Sequence, residues 1–244
     1  MNLTINNLIK TYGGKTILDQ MQIKVEDIQV LALIGASGSG KSTLLRLIAG
    51  LESFENGSIN VNGHTVSEVS DVDYRKKVGF VFQDHNLFPH LTILDNILLV
   101  LEKVHGRERE EAVREVNALL EQFGLQEHAL KRPHQISGGQ AQRASIVRAL
   151  AIAPELVLLD EPTSSLDPIL THEVLNAVKL LAEQKKDFVI VTHEIGFARE
   201  VADYIIFMED GKIVEHGTKE ILSKPQTQPL KAFLNKVLTF VNEM

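Results

Sequence analysis

A short glycine-rich segment constrains the fold of this chain more than any other stretch. It fits the pattern G-x-x-x-x-G-K-[ST] of a P-loop, and its residues are Gly35, Ala36, Ser37, Gly38, Ser39, Gly40, Lys41, Ser42 and Thr43. The apolar run Val30–Ile34 precedes it as a predicted buried strand, and apolar residues at helical spacing follow it. Glycines let backbone N–H groups surround phosphate oxygens, and the start of the following helix adds its positive dipole end. The segment therefore predicts a nucleoside triphosphate site in an α/β domain, with Lys41 on the phosphates and the Ser42 hydroxyl on Mg²⁺.

The composition excludes several other classes of protein. The absence of cysteine excludes disulfides, thiolate metal sites and cysteine catalysis. The apolar run Ile97–Leu101 is much too short for a membrane span, and no apolar segment typical of a secretory signal follows Lys10. A formal net charge of −7 disfavours nucleic acid as a partner, although it is equally compatible with simple solubility. We therefore expect a cytoplasmic protein that does not bind nucleic acid.

The order of predicted elements indicates an α/β fold with two additions. Short alternating runs around a Gly13-Gly14 turn predict a small N-terminal antiparallel sheet. Near-continuous apolar runs later in the chain predict parallel strands that are buried on both faces. Residues 86–155 have helical periodicity, so we expect them to form a helical subdomain inserted into a core made of residues 1–85 and 156–244.

Two acidic residues end one of the predicted strands. Asp160 and Glu161 follow the apolar run Leu156–Leu159, at the edge where open α/β sheets bind ligands. One carboxylate there can hold Mg²⁺, and the next can orient or deprotonate a water. The pair therefore predicts Asp160 as a metal ligand and Glu161 as a general base, unless the two residues simply end a strand.

A second helix start also has the composition of an anion site. Ser137, Gly138, Gly139 and Gln140 contain a Ser-x-x-Gln capping box with two glycines that expose the backbone. The segment is compatible with a well-capped helix and no further role. It also predicts a second phosphate-binding helix start in a chain that has one P-loop, which favours a dimer whose subunits complete each other's sites.

These motifs together resemble the ATP-binding subunits of ABC transporters almost from end to end. The P-loop, Gln83, the segment Ile136–Gln140, Asp160-Glu161, Ser165-Leu166-Asp167 and His193 occur in that family's order and approximate spacing. The resemblance implies a RecA-like core and a head-to-tail homodimer that closes on two ATP molecules. Each ATP would lie between one subunit's P-loop and the other subunit's Ser137, Gly138 and Gly139.

The resemblance also implies roles for residues that no motif of their own singles out. Tyr12 would stack on adenine. Gln83 would contact Mg²⁺ or the attacking water, and His193 would contact the γ-phosphate and help to position water. Asp167 would couple the two ATP sites across the dimer.

Within the family, the segments Asn86–Thr92 and Thr192–Asp203 resemble the class that takes up polar amino acids. The class implies two membrane permease subunits, an extracytoplasmic solute-binding protein, and a position on the cytoplasmic face of the cell membrane. The residues after Gln83 would face the permease, and there Asp84-His85 departs from the pattern of the class. An ABC ATPase of another membrane system, or one that works outside transport, is the alternative. The transported molecule and the permease are not specified by the sequence.

Overall fold

The computed structural model describes residues 1–66, 71–164 and 166–242, with side chains described as far as residue 237. Ser165, part of the Ser165-Leu166-Asp167 motif, lies outside the described residues. The chain divides into two compact units, residues 1–74 with 187–244 and residues 75–186. The expected division into a core and an inserted subdomain at residues 86–155 stays a prediction.

The first unit contains an antiparallel sheet with the strand order β2-β1-β4-β5. Its strands are β1 (Leu3–Tyr12), β2 (Lys15–Val25), β4 (Asn56–Val61) and β5 (His64–Val66). Alternating residues of β1 and β2 are buried, as expected for a sheet with one covered face. Gly13 and Gly14, at φ values of 55° and 81°, make the turn between these strands. The N-terminal antiparallel sheet expected from the sequence is therefore confirmed.

Parallel strands form the other sheet of the first unit. Strand β3 (Val30–Ile34) pairs in parallel with β8 (Phe188–Val191) and with β9 (Tyr204–Glu209). Every residue of β3 and β8 is buried, which explains their uninterrupted apolar sequence. Strand β10 (Lys212–Thr218) returns antiparallel to β9 through a tight hairpin at Asp210-Gly211.

Helices surround these strands. The first unit carries α1 (Lys41–Ile48), α7 (Ile195–Val201) and α8 (Gln228–Asn242), and the short α2 (Val72–Arg75) spans the boundary between the units. No helix among the described residues is long and apolar enough to cross a membrane.

The described residues of the second unit include two parallel strands and four long α-helices. Strand β6 (Val78–Val81) pairs with β7 (Leu156–Asp160) in the register Val78 to Leu156. The helices are α3 (Ile93–Lys103), α4 (Arg109–Gln122), α5 (Gly138–Ala151) and α6 (Pro168–Glu183). Helix α5 is buried along most of its length and packs against α3, α4, α6 and β6. It is the central helix of this unit.

Candidate functional site

The P-loop connects the buried strand β3 to helix α1 in the first unit. Gly35, Gly38 and Gly40 have φ values of 144°, 79° and 97°, a backbone conformation that favours glycine. A Cβ on Gly35 would lie 2.1 Å from the carbonyl oxygen of Met208, and one on Gly40 would lie 2.6 Å from Leu18 Cδ2. Close packing therefore adds to backbone conformation at Gly35 and Gly40, whereas at Gly38 backbone conformation alone favours glycine.

Lys41 begins helix α1 and is only 3% exposed. Its ammonium nitrogen donates to the carbonyl oxygens of Gly35, at 2.9 Å, and Ala36, at 2.8 Å. No side chain caps the N-terminus of α1, because Gly40 occupies the N-cap position in a left-handed conformation. A cation and the N-terminal N–H groups of a helix thus occur in the same loop, the arrangement that binds phosphate.

Tyr12 ends strand β1 with 43% of its surface exposed. The ammonium of Lys10 lies 4.7 Å from the centre of its ring, and its hydroxyl donates to the Glu52 carboxylate. Burial, followed by the hydrogen bond to Glu52, raises the pKa of Tyr12 to about 12. An exposed aromatic side chain is thus held by two charged neighbours, Lys10 and Glu52, that the sequence did not single out.

His193 lies two residues after the end of strand β8 and is exposed. Beside it, the N–H of Glu194 donates to the Thr192 hydroxyl at 3.0 Å, and α7 begins at Ile195. The histidine therefore lies just beyond the carboxyl end of a parallel strand in the first unit.

The acidic pair lies at the end of β7 in the second unit. Asp160 is the last residue of the strand and is 2% exposed, whereas Glu161 is half-buried. Glu161 has a φ of 44°, in the left-handed region that non-glycine residues rarely adopt. Its carbonyl accepts a hydrogen bond from the Ser164 N–H at 3.2 Å, which closes a turn. A strained backbone is therefore maintained at the residue predicted to be the general base.

The predicted capping box at the start of α5 is confirmed. Ser137 Oγ accepts from the Gln140 N–H at 3.2 Å, and Gln140 Oε1 accepts from the Ser137 N–H at 2.9 Å. A Cβ on Gly139 would lie 3.0 Å from Leu170 Cδ2, and one on Gly138 would lie 3.2 Å from Leu166 Cδ2. The two glycines therefore allow α5 to pack closely against α6 and the residues before it.

Asp167 is the N-cap of α6, as the Asp-Pro sequence predicts. Its Oδ1 accepts from the N–H groups of Ile169, at 2.9 Å, and Leu170, at 3.0 Å. Any role of this carboxylate between subunits would be added to a local structural role.

Gln83 is exposed, in irregular backbone after β6. Two side chains of α5 donate hydrogen bonds to the backbone on either side of Gln83. Gln142 donates to the Phe82 carbonyl, and Arg148 donates to the carbonyls of His85 and Asn86. The sequence reasoning missed both residues. The helix contains several other polar residues, so no local pattern singled these two out.

The site residues are distributed over both units. Tyr12, the P-loop and His193 lie in the first unit, whereas Gln83, the Ser137–Gln140 segment, Asp160, Glu161 and Asp167 lie in the second. The first unit thus holds the phosphate-binding loop, and the second holds the carboxylates.

Comparison with known proteins identifies the family. The family model described as ABC transporter matches residues 18–164. The chain belongs to this family and is an ABC ATPase with a RecA-like P-loop fold.

Two amino acid transport proteins match this chain over nearly their whole length. The L-cystine transport system ATP-binding protein TcyN of Escherichia coli is 45% identical, with 97% of this chain and 98% of the relative covered. The glutamine transport ATP-binding protein GlnQ of Bacillus subtilis is 43% identical, with 97% and 99% covered. By their names, both relatives are ATP-binding subunits of amino acid transport systems.

Solved structures agree with the fold. A dimer of the ATP-binding cassette MJ0796 in a post-hydrolysis state with ADP and Pi is 32% identical, with a TM-score of 0.78, and covers 89% of this chain and 98% of its own. Another dimeric structure of MJ0796 has a TM-score of 0.79 at the same identity and coverage.

Proposed function

We propose that this chain is the ATP-hydrolysing subunit of an importer that takes up a polar amino acid. The P-loop is the observation that most strongly supports ATP binding. In this loop the Lys41 ammonium, at the start of α1, donates hydrogen bonds to the carbonyls of Gly35 and Ala36. The direction of transport and the class of substrate are supported by the names of relatives, which include a glutamate/aspartate import ATP-binding protein of Escherichia coli at 43% identity.

The nucleotide would be bound mainly by the first unit. The backbone of residues 35–43 would surround the phosphates, Lys41 would neutralise their charge, and Tyr12 would stack on adenine. The exposed ring of Tyr12, already held by Lys10 and Glu52, supports that role.

Magnesium is compatible with the side chains that would face the nucleotide. A serine hydroxyl (Ser42), a carboxylate (Asp160) and an amide oxygen (Gln83) are the hard oxygen donors that this ion prefers. Among the described residues no group of three or more His, Cys, Asp or Glu side chains forms a metal site. This agrees with an ion held by few protein ligands and by nucleotide phosphates. When bound, Mg²⁺ would neutralise phosphate charge.

Hydrolysis would depend on residues placed after strand ends. Glu161 would accept the proton of the attacking water, which is worth about 10²–10⁴ in rate. His193 would contact the γ-phosphate and help to orient that water. Gln83 would contact Mg²⁺ or the same water.

The working unit would be a head-to-tail homodimer. Each chain has one P-loop and one glycine-rich helix start at Ser137, and a two-fold dimer would pair them twice. Ser137, Gly138, Gly139 and Gln140 would approach the γ-phosphate held by the partner subunit, and Asp167 would couple the two sites. The dimeric solved relatives support this assembly.

Closure on ATP and reopening after hydrolysis would drive alternating access in two membrane permease subunits, since ATP has different affinities for the two states. The chain would lie on the cytoplasmic face of the membrane, and an extracytoplasmic binding protein would deliver the amino acid.

Affinity purification of the tagged chain from gently solubilised membranes tests this function. We expect a multi-helix permease to co-purify in stoichiometric amount. The ATPase activity of the purified complex should rise when the binding protein of the system and its amino acid are added. Recovery without a membrane partner, or with nucleic acid, would contradict the importer while leaving the ATPase in place.

A further inference from the structure

The backbone on both sides of Gln83 is held by side chains of a single helix. We define the Gln83 segment as residues 82–86 and the signature helix as α5 (Gly138–Ala151). Gln142 Nε2 donates to the Phe82 carbonyl at 3.2 Å. The Arg148 guanidinium donates to the Asn86 carbonyl at 2.8 Å and to the His85 carbonyl at 3.1 Å. We propose that Gln142 and Arg148 are positioning residues that make Gln83 move together with the signature helix.

The burial of these two side chains argues for a specific role. Gln142 is 3% exposed, so its amide finds its partner inside the protein. Burial lowers the pKa of the Arg148 guanidinium, and the recorded partners of that cation among the described residues are neutral carbonyl oxygens. Removing even part of a cation from water is costly, and the fork of donors on the half-buried Arg148 fixes two consecutive carbonyls at once.

The strand that leads into the Gln83 segment rests on the same helix. A Cβ on Gly79 of β6 would lie 2.6 Å from the Ala149 carbonyl oxygen and 3.2 Å from Pro154 Cγ. The backbones of β6 and the last turn of α5 therefore touch directly. Together with Gln142 and Arg148, this contact attaches the segment to α5 before and after Gln83.

The opposite end of the signature helix carries Ser137, Gly138 and Gly139. A 14-residue helix spans about 21 Å and transmits a displacement of one end to the other. The inference rests on the proposed function, in which the helix start meets the partner subunit's ATP. An ATP-dependent displacement of that start would then carry Gln83 with it. Gln83 would report the state of the partner subunit's nucleotide as well as its own.

A spin-label distance measurement tests this inference directly. The chain has no cysteine, so Asp84→Cys and His134→Cys place two labels, one in the Gln83 segment and one just before the signature helix, both at exposed positions. We expect a narrow distance distribution that is the same without nucleotide and with ATP. Gln142→Glu, which exchanges the donor for an acceptor of equal size, and Arg148→Gln should each broaden it. Arg114→Gln, an exposed arginine on α4, is the control and should leave it narrow.

Kinetics on the same variants, made without the labels, separate positioning from simple destabilisation. Gln142→Glu and Arg148→Gln should lower kcat about tenfold with KM and ATP affinity within about twofold, because the P-loop is intact. Arg148→Lys, which keeps the charge but loses the fork, should recover part of kcat. Unchanged label distances and unchanged kcat in folded Gln142→Glu would overturn the inference. An inactive native chain with narrow distances would instead contradict the proposed function, since the distances do not depend on hydrolysis.

Discussion

The ammonium nitrogen of Lys41 lies 2.9 Å from the carbonyl oxygen of Gly35, the first residue of the loop that Lys41 closes. A second carbonyl, that of Ala36, lies 2.8 Å away. The cation that would bind phosphate is thus held in the loop by neutral oxygen atoms.

Replacing Lys41 with alanine should weaken ATP binding about 10–100-fold, because a charge-assisted hydrogen bond is worth roughly 1.5–3 kcal/mol. Equilibrium titration with a fluorescent ATP analogue measures the change. Lys24→Ala removes the same charge from an exposed side chain paired with Glu26 and is the matched control. Equal affinity in Lys41→Ala and the native chain would argue against the P-loop assignment.

Glu161→Gln should retain ATP binding and lower turnover about 10²–10⁴-fold, because the amide cannot accept the proton of water. ATP should then trap a stable dimer, which light scattering after gel filtration detects. Glu155→Gln changes an exposed glutamate that pairs with Lys77, and it should hydrolyse ATP normally. Rapid turnover by Glu161→Gln would remove Glu161 as the base.

Gly139→Ala should destabilise the fold by about 1–3 kcal/mol, because its Cβ would approach Leu170 to 3.0 Å and press α5 away from α6. Gly196→Ala is the matched substitution in α7, where no atom lies within 4 Å of the added Cβ. It should stabilise the protein by roughly 0.5–1 kcal/mol through helix propensity. Urea unfolding of both variants measures the opposite signs, and equal effects would contradict the packing argument.

Ser137→Ala should cost about 1 kcal/mol of stability, because the Gln140 N–H loses its cap, and should also lower turnover. Ser137→Asp separates the two effects. An aspartate caps the helix, so stability should return, but its charge would repel the partner's γ-phosphate and turnover should stay low. Full activity in Ser137→Asp would limit this serine to capping.

Tyr12 should remain protonated well above the ordinary pKa of 10, since its own pKa is raised to about 12. A raised pKa in the folded state favours the protonated phenol, so the related stability is fully present below pH 10. It is lost as pH rises towards 12. Absorbance titration of tyrosinate measures this transition, and Glu52→Gln should move it to lower pH. Tyr12→Phe should remove it, and an unshifted transition in Glu52→Gln would contradict the role of that carboxylate.

Local patterns predicted local structure well. The caps at Ser137 and Asp167 depend on residues two or three positions away, and both form the hydrogen bonds that their local sequences predict. The parallel strands followed from uninterrupted apolar runs, since burial on both faces leaves no alternation.

Contacts between distant parts of the chain left no such pattern. Glu52 meets Tyr12 across 40 residues, and Gln142 meets Phe82 across 60. The Asp203 carboxylate accepts from the Val30 N–H at 2.9 Å across 173 residues. Each of these partners is an ordinary polar residue in sequence, because tertiary packing alone selects it.

At Glu161 the left-handed backbone lowers the stability of the fold, whereas the side chain is the one proposed to support ATP turnover. This φ lowers the stability of the folded state by about 1–2 kcal/mol when the residue has a Cβ. Glycine has no Cβ and adopts the same conformation without that cost. A library of variants screened only for resistance to heat should therefore enrich glycine at position 161 and yield durable proteins that no longer turn over. Retention of glutamate at this position in natural proteins would indicate selection for catalytic activity rather than for thermal stability.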